Sequence, residues 1–129
     1  MNNITLTQKD ELILLDQTLL PNEEKEIRLE TRGAMFEAIA SLRVRGAPAI
    51  GIFAGYCMYL IARGIGEEKP EAFYEALAAQ GAWLACARPT AVNLNWAIER
   101  MLLTARETKP WKIVYSLDDS GSKDTGPLQ

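Results

Sequence analysis

Apolar positions are spaced differently before and after residue 31 of this chain. In the first stretch Leu12-Ile13-Leu14-Leu15 is a short unbroken apolar run, while Lys25-Glu26-Ile27-Arg28-Leu29-Glu30 alternates polar with apolar. A run that short suits a buried strand, and the alternation suits a half-exposed one. Between them, Asp16-Gln17-Thr18 offers side chains that bond to nearby backbone, and Leu19-Leu20-Pro21-Asn22 turns the chain. The pattern predicts a small antiparallel β region over about residues 4–30.

From Thr31 onward the period becomes helical. Thr31 is a plausible N-cap, and Met35, Ala38, Ile39 and Leu42 follow at helical spacing, so a helix is expected to about Leu42. A second helix is expected from Ala47 to about Ile65, and a third from Pro70 to about Ala87 with Phe73, Ala76, Leu77 and Leu84 inward. Thr90 is expected to cap a fourth helix, with Leu94, Ile98, Met101, Leu102 and Ala105 on its inner face. Ala47, Gly51 and Gly55 recur every four residues and predict a close helix contact, since glycine inside a helix costs about 1 kcal/mol relative to alanine. The fold class is therefore mainly α with a small N-terminal β region (α+β), the helical bundle spanning about residues 31–108. One domain over 1–110 is expected, followed by a divergent tail, 111–129, whose Ser, Asp, Gly and Pro content reads as disordered.

Composition narrows the function classes. At 129 residues the chain can bury one ordinary core. A net charge of −3 and a pI near 5.0 argue against a nucleic-acid surface. The uncharged run 46–62 falls just short of a bilayer span and contains Pro48, Gly51 and Gly55, so it reads as a core helix and no membrane role is expected. Cys57 and Cys86 lie in apolar helical patterns without metal-ligand spacing, which reads as reduced core residues of a cytoplasmic protein with no metal or other cofactor. With no histidine, proton transfer would fall to a carboxylate or a thiol.

Candidate chemistry sits at two corners. In Arg45-Gly46-Ala47-Pro48-Ala49-Ile50-Gly51, Pro48 opens a helix, and Gly46 and Ala47 carry no bulk. Their amides can meet an anion at the helix N-terminus, with the Arg45 guanidinium beside them. Arg88-Pro89-Thr90-Ala91-Val92-Asn93 repeats that logic. One helix out and one helix back allows both corners to meet at one end of a bundle. Solvated corners with surface arginines are the other reading of the same residues.

Three segments carry a resemblance. Leu14-Leu15-Asp16-Gln17-Thr18-Leu19-Leu20-Pro21, Val44-Arg45-Gly46-Ala47-Pro48-Ala49-Ile50-Gly51 and Ala87-Arg88-Pro89-Thr90-Ala91-Val92-Asn93-Leu94 are similar, in this order, to N-terminal motifs of the methylthioribose-1-phosphate isomerase family. That family serves methionine salvage and shares a superfamily with the regulatory subunits of initiation factor 2B. The similarity covers roughly residues 11–106. It implies that Arg45, Gly46, Ala47 and Arg88 bind a sugar phosphate, and that full-length members are homodimers. It also implies a further Rossmann-like domain with a catalytic cysteine and aspartate. This chain stops before that domain, and neither Cys57 nor Cys86 fits the family's cysteine segment, so no catalytic residue is assigned. A truncated, non-catalytic isoform or an initiation factor 2B-like binding module is the alternative, and a ribose-1,5-bisphosphate isomerase is a further one.

Overall fold

The structure is a computed structural model that describes residues 3–66 and 69–107. The expected tail, 111–129, lies outside the described residues. The N-terminal β region is a three-stranded antiparallel sheet of β1 (Ile4–Leu6), β2 (Leu12–Leu15) and β3 (Glu26–Leu29) in the order β1-β2-β3. Leu12 pairs with Leu29, and Leu14 lies between Ile4 and Ile27. Leu12 and Leu14 are buried while Ile13 between them is not, the period-two alternation of a pleated strand, which ends at Leu15, buried as well. After β2 the chain makes a short 3₁₀ turn, Gln17–Leu19, and passes a cis Leu20–Pro21 bond on its way to β3.

Helix α1 spans Arg32–Ala40, with the Thr31 hydroxyl accepting from the Ala34 amide at 3.0 Å as the sequence leads one to expect of a cap. Its end corrects the expected boundary. Leu42 has φ +63° and is 39% exposed, so it is outside the buried face of Met35, Ala38 and Ile39. The Leu42 amide bonds the Ile39 carbonyl at 3.2 Å, and the Arg43 amide bonds the Ala38 carbonyl at 2.9 Å. That pair of bonds is a Schellman stop, which needs a left-handed residue just past the cap. Here a leucine fills the place that glycine usually takes.

Helix α2, Ala47–Arg63, is the central element and packs most extensively on α4, with further contacts to α1, α3 and β1. Ile50, Phe53, Ala54, Cys57, Met58 and Ile61 are buried along it. Helix α3 is Pro70–Ala85 and α4 is Val92–Glu107, each ending or starting within two residues of expectation. The start of α4 is a correction: the Ala91 carbonyl accepts the first helical bond, from the Asn95 amide at 3.2 Å, so Ala91 and not Thr90 holds the cap position. The Asn95 side chain steadies this turn by donating to the Pro89 and Ala91 carbonyls at 3.3 and 3.0 Å.

One tightly packed glycine is not singled out by the sequence pattern. A Cβ on Gly81 would lie 2.8 Å from Ile98 Cγ2 and 3.2 Å from Met58 Cε, so α3 approaches α2 and α4 there as only glycine permits. Of the expected stripe, Gly55 is buried and Gly51 faces Asn93, but a Cβ on Gly51 would meet Asn93 at an ordinary 3.7–3.8 Å, and Ala47 is exposed. Trp83 lies at the edge of α3 and stacks on Phe36 with ring centroids 4.9 Å apart. No helix among the described residues is long and apolar enough to cross a membrane.

Candidate anion site at two helix N-termini

Gly46 caps α2 with φ +94° and ψ 133°, a conformation that a side chain makes strained. A Cβ there would meet nothing within 4 Å, so the glycine is required by its backbone angles and not by crowding. The Gly46 carbonyl accepts from the Ile50 amide at 2.9 Å, and no side chain caps the first turn. The early amides of α2 are thus left for solvent or a ligand, with the positive end of the helix dipole behind them. Arg45 is exposed and makes no ion pair or hydrogen bond among the described residues.

The second corner comes to the first. The Asn93 side-chain amide donates to the Ala47 carbonyl at 3.0 Å, and Asn93 lies over Gly51, so the first turns of α2 and α4 are side by side. Further along, Met58 of α2 meets the same point of α3 as Ile98 and Leu102 of α4, so α2 and α4 run parallel. Arg88 is half-buried in the turn leading to α4, where its carbonyl accepts from the Ala91 amide at 3.0 Å. Arg45 and Gly46 therefore precede α2, Ala47 opens it, Arg88 lies in the turn before α4, and one side-chain bond joins the first turns of the two helices.

A third segment is tied in behind them. Asp16 is 2% exposed, the one buried charged side chain among the described residues. Its carboxylate accepts from the Thr18 amide at 3.0 Å, the Thr18 hydroxyl at 2.6 Å and Arg43 Nη1 at 2.6 Å. Arg43 also forks onto Glu37, with Nε to Oε1 at 2.8 Å and Nη2 to Oε2 at 3.1 Å. Burial pushes the Asp16 carboxyl up, but the bonds from Thr18 and Arg43 together outweigh it and hold the group below its ordinary value. Glu37 is lowered chiefly by its bonds from Arg43 and Ser41. The Arg43 guanidinium is held further above its already high value by the Glu37 and Asp16 bonds.

Comparison with known proteins decides the family. The sequence profile of the initiation factor 2 subunit family matches residues 43–120, more than half of the chain. The chain belongs to that family. It is 53% identical over 90 residues to methylthioribose-1-phosphate isomerase of Symbiobacterium thermophilum, covering 70% of this chain and 25% of the relative. It is 46% identical over 101 residues to 5-deoxyribose 1-phosphate isomerase of Clostridium botulinum strain Langeland, covering 78% of this chain and 29% of the relative. Among solved structures it resembles 5-methylthioribose 1-phosphate isomerase from Pyrococcus horikoshii (TM-score 0.73, 29% identity, 92% of this chain and 36% of that one). It also resembles subunit delta of translation initiation factor 2B from A. fulgidus (TM-score 0.77, 35% identity, 91% of this chain and 34% of that one). The chain thus spans well under half the length of these members of the initiation factor 2 subunit family.

Asp16, ahead of the matched residues, and Arg43, at their first position, form a buried pair that pattern reading does not bring together. Their 27-residue separation hides the pair. The available signal was a carboxylate directly after an apolar strand, which demands a cation once buried. Arg63, by contrast, lies at the far end of α2, with Nη1 2.9 Å from Asp10 Oδ2 and 3.1 Å from the Tyr59 hydroxyl. Open grooves also lie away from the two corners. One is lined by Asp10, Arg28, Glu30 and Leu60, and another by Thr31, Arg32, Gln80 and Trp83. The first mixes both signs of charge and selects neither. Cys57 is fully buried, and burial pushes its thiol well up, away from a reactive thiolate. Cys86 corrects an expectation: it is exposed, because α3 ends at Ala85 and leaves it in the following turn. No group of side chains able to hold a metal ion occurs among the described residues.

Proposed function

We propose that this chain is the phosphate-holding part of an aldose–ketose isomerase acting on a pentose 1-phosphate, of the kind that converts methylthioribose 1-phosphate to methylthioribulose 1-phosphate in methionine salvage. The observation that carries the reading is the Asn93–Ala47 bond, which sets two arginine-preceded helix N-termini at one end of the bundle. Arg45 and Arg88 supply charge, and the Gly46 and Ala47 amides supply directed donors at the end of α2. The names of the relatives agree in their common part: methylthioribose 1-phosphate and 5-deoxyribose 1-phosphate differ at C5 and share the phosphorylated end. A site that reads only the phosphate end accepts both.

On this reading residues 1–110 form the phosphate-holding domain, and proton transfer belongs to residues outside the described chain. No described side chain pairs an accessible thiol with a carboxylate near Arg45 or Arg88. The 129-residue chain by itself then binds a sugar phosphate without isomerising it. Three charge-assisted bonds of about 2.5 kcal/mol each, less at least ~4 kcal/mol of lost ligand freedom, leave a dissociation constant on the order of millimolar. The test is a titration with ribose 1-phosphate followed by amide chemical shifts, run beside an isomerase assay. Shifts at Gly46, Ala47 and Ala91 without turnover are expected. Turnover by the chain itself would overthrow the division of labour, and silent amides in tens of millimolar ligand would remove the phosphate site.

The likeness to the initiation factor 2B delta subunit favours a second reading, a binding module without chemistry. It predicts those silent amides, so the same titration separates the two.

A further inference from the structure

We infer that Asp16 and Arg43 are positioning residues for the phosphate loop: their ion pair fixes the backbone from which Arg45 and the Gly46 and Ala47 amides reach the ligand. The inference rests on the phosphate reading above and adds two residues that touch no ligand. Every polar group of Arg43 is engaged. Its amide bonds Ala38, its carbonyl accepts from the Gln17 amide at 2.9 Å, and its guanidinium is divided between Asp16 and Glu37. The next residue, Val44, is 2% exposed and seated in the core. At Arg45 this changes abruptly, for Arg45 through Pro48 are exposed. The chain is therefore held from both sides up to Val44 and released one residue before the binding groups begin.

That arrangement is what a preorganised site requires. Groups on a loop that must be ordered on binding lose affinity, and a loop already held keeps it. A role in stability alone explains the pair less well. A buried ion pair is a weak source of stability compared with apolar side chains of the same volume. Here the carboxylate sits directly after Leu14 and Leu15, where an apolar residue would continue the core.

The experiment uses the 129-residue chain, ribose 1-phosphate as the probe, and amide shifts of the folded species as the readout. Global stability does not enter that affinity, because the unfolded fraction gives separate signals. Asp16→Asn keeps the shape and removes the charge, and is expected to weaken binding about tenfold, the scale seen when a supporting partner of a binding group is lost. Its amide exchange should quicken at Gln17 and Arg43, whose amides are bonded across this joint, while the α3 amides stay as protected as in the parent. Thr18→Val removes one of the carboxylate's donors and should move affinity the same way by a smaller factor; it carries the test if Asp16→Asn does not fold. Tyr59→Phe at the opposite end of α2 should bind as the parent does. Parent-like affinity in both Asp16→Asn and Thr18→Val would overturn the positioning role and leave the phosphate site standing. An equal loss in Tyr59→Phe would overturn it too, because a change at the far end of α2 would then act as strongly as one at the joint. A parent that binds no ribose 1-phosphate brings down the phosphate reading and this inference with it.

Discussion

The two ends of α2 each carry an arginine, and they are built in opposite ways. At the C-terminal end Arg63 is partnered: it forms an ion pair with Asp10, donates to the Tyr59 hydroxyl, and its guanidinium lies 5.8 Å from the Tyr59 ring centre. At the N-terminal end Arg45 has no partner among the described residues, and the helix beside it has no capping side chain. An arginine at a helix C-terminus is already matched to the dipole and needs only a local carboxylate. One at the N-terminus adds charge of the same sign as the dipole, so the fold gains nothing from it. The difference teaches that partner count and helix polarity together, more than exposure, separate an arginine used by the fold from one left open, as the proposed phosphate site requires.

Several substitutions can break or sharpen that contrast. The largest effect should come from neither end. Gly81→Leu would drive a side chain into Ile98 and Met58, with an expected loss of about 3 kcal/mol in denaturant unfolding. It calibrates what damage to the shared core looks like. Gly46→Ala comes next, at about 2 kcal/mol, because the angles at Gly46 are strained for any side chain although space is open. If it melts like the parent, the loop can relax, and the case for a preset amide cradle weakens.

Extremes of pH should then separate the two ends. Asp16 and Glu37 have folded-state values below their ordinary ones, so their contribution is complete above about pH 5 and is lost as pH falls through the folded values. Tyr59 is raised, by burial first and Asp10 next, against the lowering effect of Arg63. Its folded form keeps the proton longer, so its contribution is complete below about pH 10 and is lost as pH rises through the folded value. Melting curves across both ranges should show Asp16→Asn flattening the acid limb and Tyr59→Phe flattening the alkaline one. The smallest effect concerns the arginines themselves. Arg63→Met should cost up to about 1 kcal/mol, as an exposed pair does, and Arg45→Met should stay within about 0.5 kcal/mol. Only Arg45→Met should abolish the ribose 1-phosphate shifts.

Much of the bundle was legible from spacing, because Met35, Ala38 and Ile39 in α1, or Leu94, Ile98 and Met101 in α4, repeat with the period of the helix that buries them. Helix ends were less so. Leu42 continues the apolar period but stands in a left-handed turn, since where a helix stops depends on which backbone bonds close it and not on hydrophobicity. Cys86 and Thr90 mislead for the same reason. At the site, local signals were visible: Pro48 opening α2, glycine before it, arginine before that. What brings the corners together was not, because Asn93 reaches Ala47 across 46 residues and Arg43 reaches Asp16 across 27. No periodicity encodes a contact between residues that far apart. Gly81 escaped notice because a lone glycine looks the same whether it faces solvent or two neighbouring helices.

The parallel run of α2 and α4 has an electrostatic consequence of its own. Neighbouring antiparallel helices partly cancel each other's fields, whereas two that start together stack like charge at one end. With about half a unit charge per terminus and axes about 9 Å apart, the mutual repulsion is on the order of 0.5 kcal/mol at an effective dielectric near 20. Arg45 and Arg88 add to it. The fold is thus held slightly tense at one pole, where any multivalent anion acts as a counterweight and where simple salt relaxes the same tension without occupying a site. Thermal stability in phosphate or sulfate should exceed that in chloride of equal ionic strength, whatever sugar the anion carries.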